Sequence, residues 1–554
     1  MPCEQVGETF DFVVIGSGFG GSVTAMRLAE KGYRVLVLER GKRYEDQDFA
    51  RTNWQVWKYL WAPFIRCFGI LQISPFRDLF VLHGAGVGGG SLGYANVLME
   101  PDQRLYDAPA WKHLADWQAL LRPHYATARR MLGVTSNPRL GPADAVLQEI
   151  ATDLCRGASF GPTTVGVFFG EPGNEGREVA DPYFNGKGPA RSGCLHCGAC
   201  MVGCRHNAKN TLVKNYLYFA QAYGAQVWAE TEARDVRPLT GDQADGARYT
   251  VVVRRSTGWF MQPTRNIRAR NVVFAAGALG TLKLLFRSRD VTRSLPSLSR
   301  RLGDMVRSNS EALLGSLSQS RKVDYSKGLA ITSFFHADEV TAIEPVRYPA
   351  GSSLMRFLSW PLTRPGNGYA RFSQALAQFV RHPLDFLKVY VLPGWARRTT
   401  IVLVMQTEDN HLRMRLGRSI YTLFRYGLVS HVEAEQSIPH RIESGHKVTR
   451  AFAQKSKGIA LGSINEGLLG VALTAHVLGG CPFGNDADEG VIGLDCQVHN
   501  YPGLYVVDGS IIPANPGVNP SLTITAFAEY AMSLMPECAS PQPSPLRGEG
   551  ARGC

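Results

Sequence analysis

Asp11-Phe-Val-Val-Ile15-Gly16-Ser17-Gly18-Phe19-Gly20-Gly21-Ser22 is the stretch on which the reading of this chain turns. Its first five residues are an apolar run that predicts a short strand, and a glycine-rich turn follows at once. Ser22 to Lys31 then reads as a helix with Val23, Met26 and Leu28 on its apolar face, stopped by Gly32. Arg34 to Leu38 is a second apolar strand, ending at Glu39. This is G-x-G-x-x-G inside a strand–helix–strand unit, the context that gives the motif chemical meaning. Gly16 permits the tight turn, Gly18 lets a pyrophosphate approach the backbone, and Gly21 lets the helix pack closely on the strand. Ser17, Phe19 and Gly20 lie between them on the same turn. The helix N-terminus offers N–H groups and a partial positive charge to phosphates. Glu39 is placed to accept hydrogen bonds from ribose hydroxyls, which argues for FAD or NAD and against a 2′-phosphate.

Working outward, the chain has 554 residues, too long for one simple domain. With 45% hydrophobic and 19% charged residues it can build a large core and is not disordered as a whole. The formal net charge of +13 is spread without a long Lys/Arg block, so nucleic-acid binding is not expected, while attraction to an anionic membrane surface is allowed. Met1 to Phe12 lacks the basic-then-apolar pattern of a secretory signal, and no run of 18 apolar residues free of charge occurs. The 11 cysteines are odd in number and unlike a secreted disulfide framework. Together these predict a cytoplasmic protein, at most peripheral to a membrane.

Residues 51–80 are rich in aromatics (Trp54, Trp57, Tyr59, Trp61, Phe64, Phe68, Phe76, Phe80) with Arg51, Lys58, Arg66 and Arg77 among them. They fit either a loop and helix packed on the core or a lid over a lipophilic site. Five glycines fall within Gly84 to Gly90, and Ser91 follows. A backbone this bare can approach a flat ring system closely. Cys194, Cys197, Cys200 and Cys204 have the spacing of bacterial iron–sulfur runs, with Arg205 in place of the usual proline. One cluster on these four thiolates stands beside a reduced structural cysteine group as the alternative. Residues 226–236, containing Ala233, together with 249–254 and 271–276, predict strands. Asn271 to Gly280, with Ala276 and Gly277, repeats the strand–glycine–helix pattern, the helix reading from Thr281 to Arg287. Residues 310–465 carry longer amphipathic stretches, and Gln378 to Arg398 is a basic, aromatic piece suited to a membrane surface or an ordinary solvated helix. The tail from Pro536 is rich in proline, glycine and serine and predicts disorder.

Near the C-terminus His476 stands in Ala475-His-Val-Leu-Gly-Gly-Cys481, and Asp508-Gly509 closes the turn after Tyr501 to Val507. Asn519-Pro520 opens an apolar helix, Ser521 to Met535, with proline at its first position. The N-terminus of that helix can stabilise negative charge at the sheet edge.

In these segments the chain resembles the glucose–methanol–choline (GMC) flavin oxidoreductases. The likeness is carried by Val13 to Gly21, Gly86 to Ser91, Ala275 to Gly280 and His476 to Ala528, in order over nearly the whole chain. It is strongest to the cholesterol oxidase branch, through His476 to Cys481, Gly517-Val-Asn-Pro520 and Thr523 to Ala526. The resemblance implies an α/β protein in which a Rossmann-like, doubly wound FAD domain (8–110, 205–309, 470–535) is interleaved with an α+β substrate domain (111–204, 310–469) containing an antiparallel sheet, with 536–554 as tail. It implies noncovalent FAD and hydride transfer from an alcohol carbon to flavin N5. His476 would bind the substrate hydroxyl and help remove its proton; Asn519 would orient the substrate and polarise the reduced flavin. Gly88, Gly89, Gly90, Ser91 and Asn96 would touch the flavin, Asp508-Gly509 its ribityl chain or phosphates, and Ala233, Ala276 and Gly277 join the cofactor contacts. The implied partners are a sterol or similar lipophilic alcohol and either dioxygen or a carrier. Relatives that also isomerise a steroid double bond use a glutamate ahead of a threonine-ending strand. Taking Ile401 to Thr407 as that strand puts Arg397 at the place, and Gln378 to Ala396 holds no glutamate. Two rival readings remain: an electron-transfer dehydrogenase with an iron–sulfur cluster at Cys194–Cys204, and a non-catalytic, membrane-associated flavoprotein.

Overall fold

A computed structural model describes residues 9–259, 262–362, 373, 377, 380–432, 438–439 and 441–539. The predicted Asp11–Ile15 strand spans Phe10–Ile15 and lies inside a sheet, flanked by Val35–Leu38 on one side and Arg265–Phe274 on the other, both parallel to it. Val13, Val14, Leu36, Val37, Val272 and Val273 are fully buried or nearly so. A parallel sheet covered on both faces needs such unbroken apolar runs. Gln226–Trp228 extends the sheet beyond Val35–Leu38, and Leu504–Val506 pairs parallel with the end of Arg265–Phe274. The start of that long strand pairs instead with Tyr249–Arg255, which pairs with Thr231–Pro238, an antiparallel meander on the same sheet. Five parallel strands thus end along one edge, at Ile15, Leu38, Trp228, Phe274 and Val506. In such sheets ligands lie outside the carboxyl ends of the strands.

The helix after the first turn runs Phe19–Glu30 and begins earlier than Ser22, because its glycines are the close-packed first turn and not a preceding loop. Gly277–Phe286 likewise begins before Thr281. The C-terminal helix, Ser521–Ser533, packs between Phe19–Glu30 and Trp117–Met131.

A second seven-stranded sheet is antiparallel, in the order Ser359–Pro361, Gly458–Ser463, Ala312–Ser318, Thr399–Gln406, Thr341–Val346, Ser333–His336, Gly161–Pro162. Its alternation assigns two faces. Leu314, Ile343, Val402 and Val404 pack with Val448 and Phe452 of helix Glu443–Lys455 and with Leu147 and Ile150 of helix Pro142–Asp153. Leu313, Val346, Ile401 and Leu403 face the other way, toward the first sheet's open edge. A third, small sheet joins Leu71–Pro75, Leu79–Gly84 and Ala472–Thr474.

The aromatic stretch 51–80 divides. Tyr59, Trp61 and Phe76 are core, whereas Trp54, Trp57, Phe64 and Ile65 are exposed. Within 378–398, helix Pro383–Val391 buries Phe386 and Val389 and exposes Leu384, Leu387 and Val391, while Phe379 lies outside the described residues. Of the predicted tail, 540–554 lie outside them too.

Candidate active site

The edge formed by these strand ends opens into a cavity of about 410 Å³. Its wall includes Gly16, Ser17, Gly18, Phe19, Gly20, Glu39, Gly89, Gly90, Ala233, Ala276, Gly277, Asp508, Gly509, His476 and Asn519, so fifteen separately predicted positions converge on one space. The cradle is built for a ligand that touches backbone. A Cβ at Gly20 would stand 1.8 Å from the Val507 carbonyl oxygen, so helix and C-terminal strand meet main chain to main chain. A Cβ at Gly18 would meet no atom within 4 Å, so the space beside it is clear. The first bond of the helix is Ser22 N–H to Gly18 O, leaving the N–H groups of Phe19, Gly20 and Gly21 ahead of it to offer to phosphate. These features fit a dinucleotide. Glu39 is buried and knits the cradle: its carboxylate accepts from the Ser17 hydroxyl at 2.6 Å and from Gly41 N–H at 2.8 Å. Asp508 accepts from the Thr281 and Ser510 hydroxyls, each at 2.6 Å, and burial raises its proton affinity.

Four predicted contacts are not on this wall. Gly21 is a packing position, its would-be Cβ 2.0 Å from Gly16 O. Gly88 and Ser91 shape their loop: the Ser91 hydroxyl donates to Gly88 O at 2.7 Å and accepts from Leu212 N–H at 3.1 Å. Asn96 is fully buried behind Ala95 and Val97, both of which do line the cavity, and its carboxamide finds no partner among the described residues.

His476 follows the strand Ala472–Thr474, and Asn519 sits just ahead of helix Ser521–Ser533. Though 43 positions apart in sequence, their side chains come within 3.5 Å, Asn519 Nδ2 to His476 Nε2. On the far side of the imidazole, His476 Nδ1 lies 3.0 Å from the Glu311 carboxylate. Glu311 is buried and also accepts from the Thr474 hydroxyl at 2.7 Å and Ala475 N–H at 3.1 Å. Burial disfavours the imidazolium, but Glu311, aided by Glu344, outweighs it, so His476 holds its proton more firmly than an ordinary histidine. Glu344 is buried on Thr341–Val346, on the same face as Val346. Burial pushes its carboxyl up to about 8, against the opposing pull of His476 and the Asn519 amide, with Glu311 adding to the rise. Neither glutamate was picked out from the sequence. Each is a lone acid in or beside an apolar strand, and that was the signal to follow. Glu344 lies on the strand next to Thr399–Gln406, outside the 378–396 stretch considered from the sequence, and Arg397 is exposed on the short turn of helix before that strand.

The cavity has an apolar side, formed by Tyr59, Ile70, Ile331 and Tyr348 with Leu313, Val346, Ile401 and Leu403 of the second sheet, whereas Arg40, Glu232, Arg234, Lys283 and Arg287 line it elsewhere.

Residues 189–304 and 462–528 match family profiles described as GMC oxidoreductase, and residues 14–44 match one described as an NAD(P)-binding Rossmann-like domain. A cholesterol oxidase of Mycobacterium tuberculosis is 45% identical over 98% of this chain and 94% of its own length. One of Acinetobacter baumannii is 44% identical over 95% and 94%. The chain is a GMC oxidoreductase. A long-chain-alcohol oxidase of Arabidopsis thaliana is more distant, 25% identical over 94% of this chain and 67% of its own. The solved pyridoxine 4-oxidase from Mesorbium loti shares the fold, with a TM-score of 0.60, 16% identity, and coverage of 95% of this chain and 99% of that one.

As a GMC oxidoreductase it is an FAD-dependent enzyme acting on CH–OH donors. The cysteine run of this GMC oxidoreductase is linked through Lys209 to the Leu92–Tyr94 segment that follows the second glycine-rich loop. Among the described residues no three His, Cys, Asp or Glu side chains converge to hold a metal ion. Burial raises the thiols of Cys194, Cys197 and Cys200, the last to about 11. The Lys209 ammonium, its pKa brought down to about 7 by burial, donates to Leu92 O, Tyr94 O and Cys200 O at 2.8–2.9 Å, tying this segment to the loop.

Proposed function

We propose that this GMC oxidoreductase oxidises a bulky lipophilic secondary alcohol, a 3β-hydroxysteroid foremost, with dioxygen as the final electron acceptor. The observation that carries this reading is the His476–Asn519 pair standing where an apolar wall meets the dinucleotide cradle. The names of the two relatives at 44–45% identity support the sterol, and the word oxidase in them supports dioxygen. A sugar would need several polar side chains on that wall, which the second sheet does not supply.

FAD, when bound, supplies the acceptor for the hydrogen and electron pair of the carbinol carbon. The protein's part is proton transfer and orientation. Asn519 and His476 bracket the hydroxyl, and Nε2 takes its proton as the C–O bond gains double-bond character. The Glu311 carboxylate, 3.0 Å from Nδ1, stabilises the imidazolium that results. Leu313, Leu403 and their neighbours fix the hydrocarbon body and exclude water. Glu344, protonated at neutral pH, presents a carboxyl beside the same pair; with a steroid bound it is suited to move a proton within the ring system. The exposed Trp57, Phe64, Leu384 and Leu387 support peripheral contact with the bilayer in which such a substrate dissolves.

The test is anaerobic addition of detergent-dispersed cholesterol to the purified flavoprotein. Visible flavin absorbance should bleach within turnover times, and no bleaching by any 3β-hydroxysteroid would remove the steroid from the proposal.

A further inference from the structure

The strands Arg413–Gly417 and Gly427–His431 form a two-stranded ribbon outside both large sheets. Its root is anchored: Met414 and Leu428 are buried in the main core, Arg413 pairs with Asp304 at 2.7 Å, and the Ser430 hydroxyl donates to Asp78 at 2.7 Å. Its tip does the opposite. Ile420, Leu423, Phe424 and Tyr426 are 68%, 79%, 69% and 63% exposed. This is not a loose loop. Ser419 and Thr422 exchange side-chain-to-backbone hydrogen bonds at 2.9 and 3.3 Å, and Phe424 N–H closes on Ser419 O at 2.9 Å. Leu423 and Phe424 both sit in left-handed backbone, with φ of 49° and 56°. Bulky residues adopt that conformation at a cost, and here the cost holds two large apolar side chains in water. The sequence holds no Asp or Glu between Asp409 and Glu433 but has Arg413, Arg415, Arg418 and Arg425. Arg415, Arg418 and Arg425 are exposed, and among the described residues none has an acidic partner. Arg418 lies over the Tyr426 ring, 5.6 Å from its centroid.

We propose that the 418–426 tip is a preformed membrane anchor that seats Leu423 and Phe424 in the headgroup–acyl boundary of an anionic bilayer, with Arg415, Arg418 and Arg425 against lipid phosphates. An aliphatic tip bracketed by tyrosines and arginines matches the layering of that boundary, apolar within, amphipathic ring at the headgroups, cation outside. The surface is separate from the substrate wall, and the inference does not depend on which alcohol is oxidised.

The full-length flavoprotein is sedimented with sucrose-loaded vesicles of phosphatidylcholine, with or without phosphatidylserine. The wild type should sediment with the phosphatidylserine vesicles and be released by added salt. Leu423→Ser/Phe424→Ser should weaken that binding about tenfold or more, with flavin content and turnover of a detergent-dispersed alcohol unchanged. Arg418→Gln/Arg425→Gln should abolish the preference for phosphatidylserine. A wild type that stays in solution with both vesicles overturns the proposal, as does undiminished binding by L423S/F424S. So does a dimer in sedimentation velocity that L423S/F424S dissociates, because the tip would then belong to a second copy of the chain. Should the serine variant lose flavin, Phe424→Trp serves instead: quenching by brominated acyl chains must exceed that of the wild type, and equal quenching overturns the anchor.

Discussion

His476 is flanked by two buried carboxyl groups, Glu311 and Glu344, both of which favour its protonated form. Glu311 sits against Nδ1 and raises the imidazole's proton affinity. As the proposed base, His476 must be neutral to accept the hydroxyl proton, so turnover is expected to fall as pH drops through its pKa. Glu311→Gln removes the upward pull and leaves the downward effect of burial. The acid limb of the pH–rate profile should therefore move to lower pH, while the plateau falls by about 10²-fold for want of imidazolium stabilisation. A reduced plateau with an unmoved limb would show Glu311 to be structural only. Glu344 titrates at about 8 against an ordinary 4.5. Below that pH it is neutral, and the isosteric Glu344→Gln keeps its charge state. Alcohol oxidation at pH 7 should stay within about tenfold of the parent, and any basic limb near pH 8 should vanish. A raised carboxyl pKa contributes stability that is whole below 4.5 and lost as pH climbs to 8. Thermal melts across that window should accordingly favour the glutamine variant more and more as pH rises.

At the scale of elements, the glycine turn contains two kinds of glycine that the motif alone does not distinguish. Gly20 is where helix Phe19–Glu30 touches Val507, and a methyl there would drive into a carbonyl oxygen. Gly18 borders clear space, and its φ of −72° suits any L-residue. Gly18→Ala should leave the apoprotein's melting temperature unchanged while weakening FAD binding, measured by flavin fluorescence titration. Gly20→Ala should lower the apoprotein's melting temperature as well. Equal effects of the two would contradict this division. The strand–turn–helix unit was legible because its periodicity is local: apolar run, glycines, amphipathic helix and terminal acid all fall within thirty residues. His476 and Asn519 were legible through their resemblance to a known pattern. Glu311 and Glu344 were not, because a strand's two faces acquire meaning only from its partners. Glu344 reaches the site because its strand registers against Leu403, whose own neighbour is Leu313. No window of sequence carries that register.

For the whole molecule, the order in which the chain completes its cofactor cradle matters more than where the motif begins. The first sheet draws strands from residues 10–38, from 226–274 and finally from 504–506. The last visit supplies the Val507 carbonyl that meets Gly20 and the Asp508–Gly509 turn that closes the wall. The His476–Asn519 pair is likewise split, its histidine entering beside Leu79–Val81 and its asparagine ahead of the final helix, while Glu344 arrives from the second sheet and Glu311 from just before its strand Ala312–Ser318. Neither sheet makes the site alone. A chain ending after residue 475 holds Gly16 to Gly21 and Glu39 intact yet leaves Val272–Phe274 without its second parallel neighbour, Leu504–Val506, and the helix N-terminus without its main-chain seat. It should retain no flavin through gel filtration, judged by the ratio of visible to ultraviolet absorbance. A chain ending after residue 539 keeps every group named in the site and should keep both flavin and turnover. Flavin held by the shorter chain would mean that the amino-terminal motif binds by itself, and the argument that the cradle is assembled from three distant visits would fail.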